Sequence, residues 1–247
     1  MKNKFQQPEL SDYQRGKLIE HAMAALQAQQ QIQEAGGVHQ LMMKQAEAEG
    51  FTAWQHYPKG DRIDYESGGQ YYYHCHRENF ETEEHGHFHC FLRKKGNARN
   101  GGWPISYKIA DIPEKEKYLN SPMTHLITIG LNRYGLPIRL FTVNRWVTKE
   151  TWFEAEKMHK LRKRFDLKHV KAREGQLEQW RVVDEWIEHL IHLFAAQIDW
   201  LISERDKAMA EHIKQIRDSD NHYDDKRIEE LSALDISLEA QVGWLMA

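Results

Sequence analysis

The chain has 247 residues, 40% hydrophobic and 29% charged, with eight Trp, nine Phe and ten Tyr; that is enough aromatic bulk for a packed core and excludes a disordered chain. Its two cysteines, Cys75 and Cys90, exclude a disulfide framework and fit a reducing, cytoplasmic setting. The most apolar stretch, residues 182–202, contains Asp184, Glu185, Glu188 and Asp199, which excludes a membrane span at ordinary cost.

The net charge of −3 is uneven. Residues 1–173 hold 27 Lys+Arg against 20 Asp+Glu, and residues 174–247 hold 7 against 17. The basic excess peaks in residues 157–173, a segment that either faces an anion or docks on the acidic C-terminal quarter. The docked reading makes nucleic acid an unexpected partner. The N-terminus shows no apolar core of a signal peptide.

In chain order, Ser11 to Gln14 reads as a capping box. Leu18, Ile19, Ala22, Met23, Leu26 and Ile32 follow at helical spacing. Gly36 and Gly37 close this helix, and a second short one spans residues 38–49. A loop containing Pro58, Gly60, Gly68 and Gly69 leads into aromatic-rich strands at residues 70–76 and 85–93. Residues 54–57 could add an edge. Strands at 124–131 and 137–143 flank Asn132-Arg-Tyr-Gly135, a hairpin turn. Thr148 reads as the N-cap of a helix over 149–170. A longer helix over 174–218, spanning about 65 Å at 1.5 Å per residue, and a last helix from Ile228 to Leu245 complete a C-terminal hairpin.

The expected fold is α+β, with an antiparallel sheet of four to five strands flanked by N-terminal helices and a long C-terminal helical hairpin. The units are N-terminal helices over 1–50, a histidine-rich sheet over 51–148 and C-terminal helices over 149–247, packed as one body. The long apolar stripe suggests self-association, a homodimer through the C-terminal helices.

The chemistry concentrates in the first hairpin. Alternate side chains of a strand share a face, so His85, His87 and His89 lie together, as do His74 and His76. Eight residues, 77–84, join the strands. Symmetric pairing about them sets His76 opposite His85, His74 opposite His87 and Tyr72 opposite His89. Directly paired Cβ atoms are about 4.5–5.5 Å apart. The five histidines His74, His76, His85, His87 and His89 are therefore candidate ligands of a divalent metal ion, zinc or iron, because imidazole suits both. Glu78, Glu81, Glu83 or Glu84 could orient them. Both cysteines have the opposite parity. Binding should weaken below about pH 6, where an ordinary imidazole protonates. His125 shares the parity of Ile127 and Ile129; it is a further ligand, a general base or a core histidine. Asn144 and Arg145 precede a helix start, where Arg145 could hold an anion or form an ion pair.

Several of these segments are distinctive together: His56-Tyr-Pro-Lys-Gly-Asp61, Gln70-Tyr-Tyr-Tyr-His74, Glu84-His-Gly-His-Phe-His89 through Arg93, Thr124-His-Leu126, Tyr134-Gly-Leu-Pro and Asn144-Arg-Trp-Val147. Over about residues 50–150 the chain resembles an uncharacterised bacterial domain-of-unknown-function family carrying the His-Gly-His-Phe-His motif. The resemblance implies a bacterial cytoplasmic protein and brings no activity or cofactor.

Three functions suit the histidines. One is a metal-dependent enzyme, either a hydrolase activating water or an oxygenase. The second is a nucleic-acid endonuclease, because His87-Phe-His89 looks like the His-hydrophobe-His strand of rolling-circle replication and relaxase enzymes. That family pattern needs a downstream helical tyrosine. Residues 158–170 contain none, and only Tyr107 and Tyr118 could substitute. The third is a non-enzymatic metal-binding or dimeric interaction protein with a closed site.

Overall fold

The computed structural model describes residues 4–46, 52–76, 83–93, 121–216 and 221–247. The chain begins with α1 (Asp12–Glu34) and α2 (Gly37–Ala46). Ser11 and Gln14 close the capping box. Five strands follow: β1 (Tyr57–Ile63), β2 (Gly69–His74), β3 (Glu84–Arg93), β4 (Met123–Asn132) and β5 (Pro137–Val143). Then come α3 (Arg145–Thr148), α4 (Ala155–Arg162), α5 (Trp180–Leu193), α6 (Ala195–Gln215), β6 (Glu230–Asp235) and α7 (Leu238–Met246).

The strands form one antiparallel sheet of six, ordered β1-β2-β3-β4-β5-β6. The α+β class and antiparallel sheet hold; the sheet has six strands where four to five were expected. β1 runs through Pro58 and Gly60, read from sequence as loop. It is an edge strand with a register irregularity between Tyr57 and Arg62, a place where a residue without a donating N–H is tolerated. β6 replaces the start of the expected last helix. Leu231, Leu234 and Leu238 recur at helical spacing, but β5 presents a free edge and β6 pairs along it from Val143 to Arg139.

The long C-terminal helix is also two helices. Phe194 leaves helical geometry at φ −92° and ψ 24°, and its N–H bonds the Leu190 carbonyl. Trp180, Val183, Ile187, Leu190, Ile198 and Ile202, the stripe thought to need a second copy, are at most 1% exposed within one chain. The helical-hairpin expectation falls with it, and so does the geometric reason for expecting a dimer. The helix over 149–170 contracts to α4, whose N-cap is Glu154; Thr148 ends α3 instead.

The helices explain one face of the sheet. Phe88 meets Trp186 of α5 at 6.2 Å, and Ser232 of β6 donates to the Leu201 carbonyl of α6. Phe88, Cys90, Leu92, Ile127 and Ile129 are completely or almost completely buried there, as alternation requires for a covered face. The basic segment docks internally: Arg162 pairs with Asp199 of α6 at 2.6 Å, and Lys168 lies 3.5 Å from Glu188 of α5. Among the described residues, no helix is long and apolar enough to cross a membrane.

Candidate metal centre

The site is on the other face, where two rows of paired residues cross the sheet. His74 pairs with His87, His87 with Gly130 and Gly130 with Arg139. In the next row Tyr72 pairs with His89, His89 with Thr128 and Thr128 with Phe141. The register inferred from the eight-residue connection is thus the observed one for the two pairs within the ladder. Residues 77–82 of that connection, with Glu78 and Glu81, lie outside the described residues.

His74, His87 and His89 are 8%, 5% and 1% exposed, and one ring nitrogen from each lies within 4.8 Å of the others. This face is more buried than a solvent-facing sheet surface would be. His87 Nδ1 donates to Glu84 Oε1 at 2.9 Å. That bond fixes the neutral tautomer and leaves the lone pair on Nε2. His87 Nε2 in turn sits 2.8 Å from His74 Nε2, so the two share a proton or an ion. His89 Nδ1 faces Thr128 Oγ1 at 3.1 Å and His125 Nε2 at 3.3 Å. Its Nε2 is buried with no hydrogen-bond partner. A buried nitrogen without a partner is costly unless something else coordinates it.

Burial keeps His74, His89 and His125 neutral. Burial, then the neighbouring His87 and His76, pushes His74 down to about 2. Burial also holds His89 well below the ordinary imidazole value and takes His125 to about 3. Proton competition at His74 and His89 therefore starts well below the pH of about 6 expected for an ordinary imidazole. Glu84 stays below the usual carboxylate range because the lowering contacts with His87 and Arg139 outweigh burial.

Two β-bulges redistribute the other candidates. Between Glu84 and Gly86 the β3–β4 register slips, so one extra residue reverses the facing. His85 consequently leaves the group. Its Nδ1 lies 2.7 Å from Tyr73 Oη, and its ring meets His39 of α2 edge-on at 4.0 Å. Gly86 permits this: a Cβ there would collide with Tyr73 Oη and stand 2.6 Å from the His74 carbonyl oxygen. A second irregularity between Cys90 and Phe91 sets Phe91 opposite His125 and skips Leu126. His125 thereby joins the histidine face, against the parity it would share with Ile127.

His76 is exposed at the rim, its ring stacked on Trp54 at 4.2 Å and its Nε2 3.2 Å from His74 Nε2. Asn144 caps α3 and donates to the carbonyls of His222, Asp225 and Ile228. Arg145 is fully buried, 3.3 Å from Asp224 and over the Tyr223 ring. Neither belongs to the group formed by His74, His87 and His89.

Three participants escaped the sequence reading: Arg139, Thr128 and Glu150. Extending the second hairpin's register finds Arg139, opposite Gly130; Thr128 lies opposite His89 across β3 and β4, a pairing that no short connection sets. Glu150 has no such signal. It is fully buried and pushed up to about 7 by that burial, and it accepts from the His125 backbone N–H at 2.5 Å. His87 and His89, with His76 and His85, border a cleft of about 450 Å3 whose other walls include Glu84, Arg139, Phe141, Val143, Glu229 and Glu230.

A family model described as Domain of unknown function (DUF6969) matches residues 19–236. No curated protein and no solved structure matches the chain.

Proposed function

The chain belongs to that domain-of-unknown-function family, and on the geometry of its site we propose that it is a metal-dependent enzyme whose centre is His74, His87 and His89. The observation that carries the reading is the convergence of three buried imidazoles, one with its tautomer fixed by Glu84 and one with an unpartnered Nε2. Tetrahedral zinc bound to nitrogen at 2.0–2.1 Å needs ligand atoms about 3.4 Å apart. The His74–His87 pair, at 2.8 Å, would part by roughly half an ångström.

Zinc suits the donors better than iron(II). The non-haem iron pattern uses two histidines and a carboxylate. The nearest carboxylate, Glu84, is engaged by His87 Nδ1 and by Arg139 at 3.2 Å. Three neutral ligands leave the ion's full charge to act on a fourth, exchangeable position facing the cleft, where zinc would acidify a bound water for hydrolysis. Thr128 and His125 hold the His89 ring from behind; Glu84 does the same for His87. Glu84, Glu229 and Glu230 outnumber Arg139 at the cleft, which favours a neutral or cationic substrate and disfavours a phosphodiester backbone. This weighs against the endonuclease alternative.

The enzyme and closed-site readings separate by ligand exchange. Cobalt(II) loaded at the site should show absorption bands that shift when azide is added, reporting an open position. Bands insensitive to azide and to other small anions would identify a closed storage or structural site.

A further inference from the structure

Charge is spread unevenly along the cleft that His87 and His89 border. Glu84, Glu229 and Glu230 bring three carboxylates to its walls, and Arg139 one guanidinium. Arg139 spans two of the three: its Nη1 donates to Glu84 Oε2 at 3.2 Å and its Nη2 to Glu230 Oε2 at 2.5 Å. Glu229 is exposed, and among the described residues its carboxylate has no hydrogen-bond or ion-pair partner. Its charge is uncompensated while its place is fixed. The Asn144 N–H donates to the Glu229 carbonyl at 2.6 Å and ties the backbone there to the end of β5.

The histidine end calls for the opposite kind of group. His89 is 1% exposed and its Nε2 has no hydrogen-bond partner; with a metal held there, the open position takes a donor atom such as a carbonyl oxygen. Between the two ends, Phe141, Val143 and Val147 present apolar surface. Phe141 and Val143 are two residues apart on β5 and share a face. The Arg139 guanidinium sits 4.6 Å from the centre of the Phe141 ring, so this wall already carries a cation on an aromatic face. From end to end the cleft offers a seat for a donor oxygen, a strip for methylene groups and an acidic mouth.

We propose, resting on the metal-centre reading, that the substrate is an amide or ester carrying an alkylammonium arm, and that Glu229 is the residue that selects it. The carbonyl oxygen lies toward the histidine end, the methylenes on Phe141, Val143 and Val147, and the ammonium against Glu229. The uncompensated carboxylate decides between a cationic and a neutral arm, because only the cation gains an ion pair there. An arm ending in a carboxylate or phosphate meets Glu229 and Glu230 with like charge and is rejected.

The test loads the full chain with cobalt(II) and titrates its absorption bands with three hydroxamates, which bind metal ions through their own oxygens. These are ω-aminohexanohydroxamate, the uncharged hexanohydroxamate, and the monohydroxamate of adipic acid, which ends in a carboxylate. The ω-amino compound should bind about fivefold tighter than the uncharged one, the upper range for an exposed ion pair, and the adipic compound more weakly than either. Glu229→Gln, a change at an exposed side chain, should bring the ω-amino and uncharged affinities to within about twofold of each other. Should that variant misfold by circular dichroism, the wild-type ranking decides by itself. Equal affinities in the wild type, or a preference that survives Glu229→Gln, overturns the proposal and leaves the metal centre standing. Cobalt bands indifferent to His87→Ala, or unmoved by all three hydroxamates, instead remove the open metal centre beneath the proposal, and the proposal with it.

Discussion

Two glycines define the site as much as its histidines do. Gly86 leaves room for Tyr73 to reach His85, and Gly130 leaves the space beside His87 into which Glu84 folds. A Cβ at Gly130 would stand 3.0 Å from Glu84 Oε2 and 2.7 Å from Arg139 Cγ. Both neighbours are flexible side chains, so Gly130→Ala should fold while displacing the Glu84–His87 hydrogen bond. Metal affinity should fall about 10- to 100-fold, as for other losses of a ligand's orienting partner; titration with a competing chelator measures this, and an affinity equal to wild type would show that Glu84 does not tune the site. Gly86→Ala meets backbone as well as Tyr73 and should lower the folded yield. The pairing of His74 with His87 was legible in the sequence because period-two alternation and one loop length determine it. The role of Gly130 was not, because a missing side chain matters only once its neighbours are known.

At the scale of elements, alternation succeeded where a strand was regular and failed at its bulges. One extra residue sent His85 to the helix side, and another brought His125 to the histidine side. No composition marks such slips; they are set by the partner strand. The C-terminal misreading has a different cause. Leu231, Leu234 and Leu238 satisfy a helical period, yet the open edge of β5 offers backbone partners to residues 230–235. Cα chemical shifts of residues 230–235 should accordingly be those of a strand, with slowly exchanging amides opposite β5. Helical shifts there would remove the sixth strand.

Across the whole molecule, the buried histidines link stability to pH. His74, His89 and His125 stay neutral in the folded chain far below the ordinary value of 6.5, whereas the unfolded chain protonates them near it. The stability they contribute is thus fully present above about pH 6.5 and is lost as pH falls toward about 3. Each histidine should cost about 2 kcal/mol between pH 6.5 and 5. Urea unfolding of metal-free protein should show the decline, and His125→Asn should lessen it by about one proton's worth. An equal slope in the variant would mean that His125 titrates normally in the folded chain.

The central claim is that His74, His87 and His89 hold a metal ion. Elemental analysis of protein purified without an affinity tag tests it most directly, comparing the wild type with His87→Ala and His89→Ala after each is shown to be folded by circular dichroism. The account predicts that each substitution removes close to one equivalent of a divalent transition metal, zinc by the donor set. Equal metal content in all three folded proteins would contradict it.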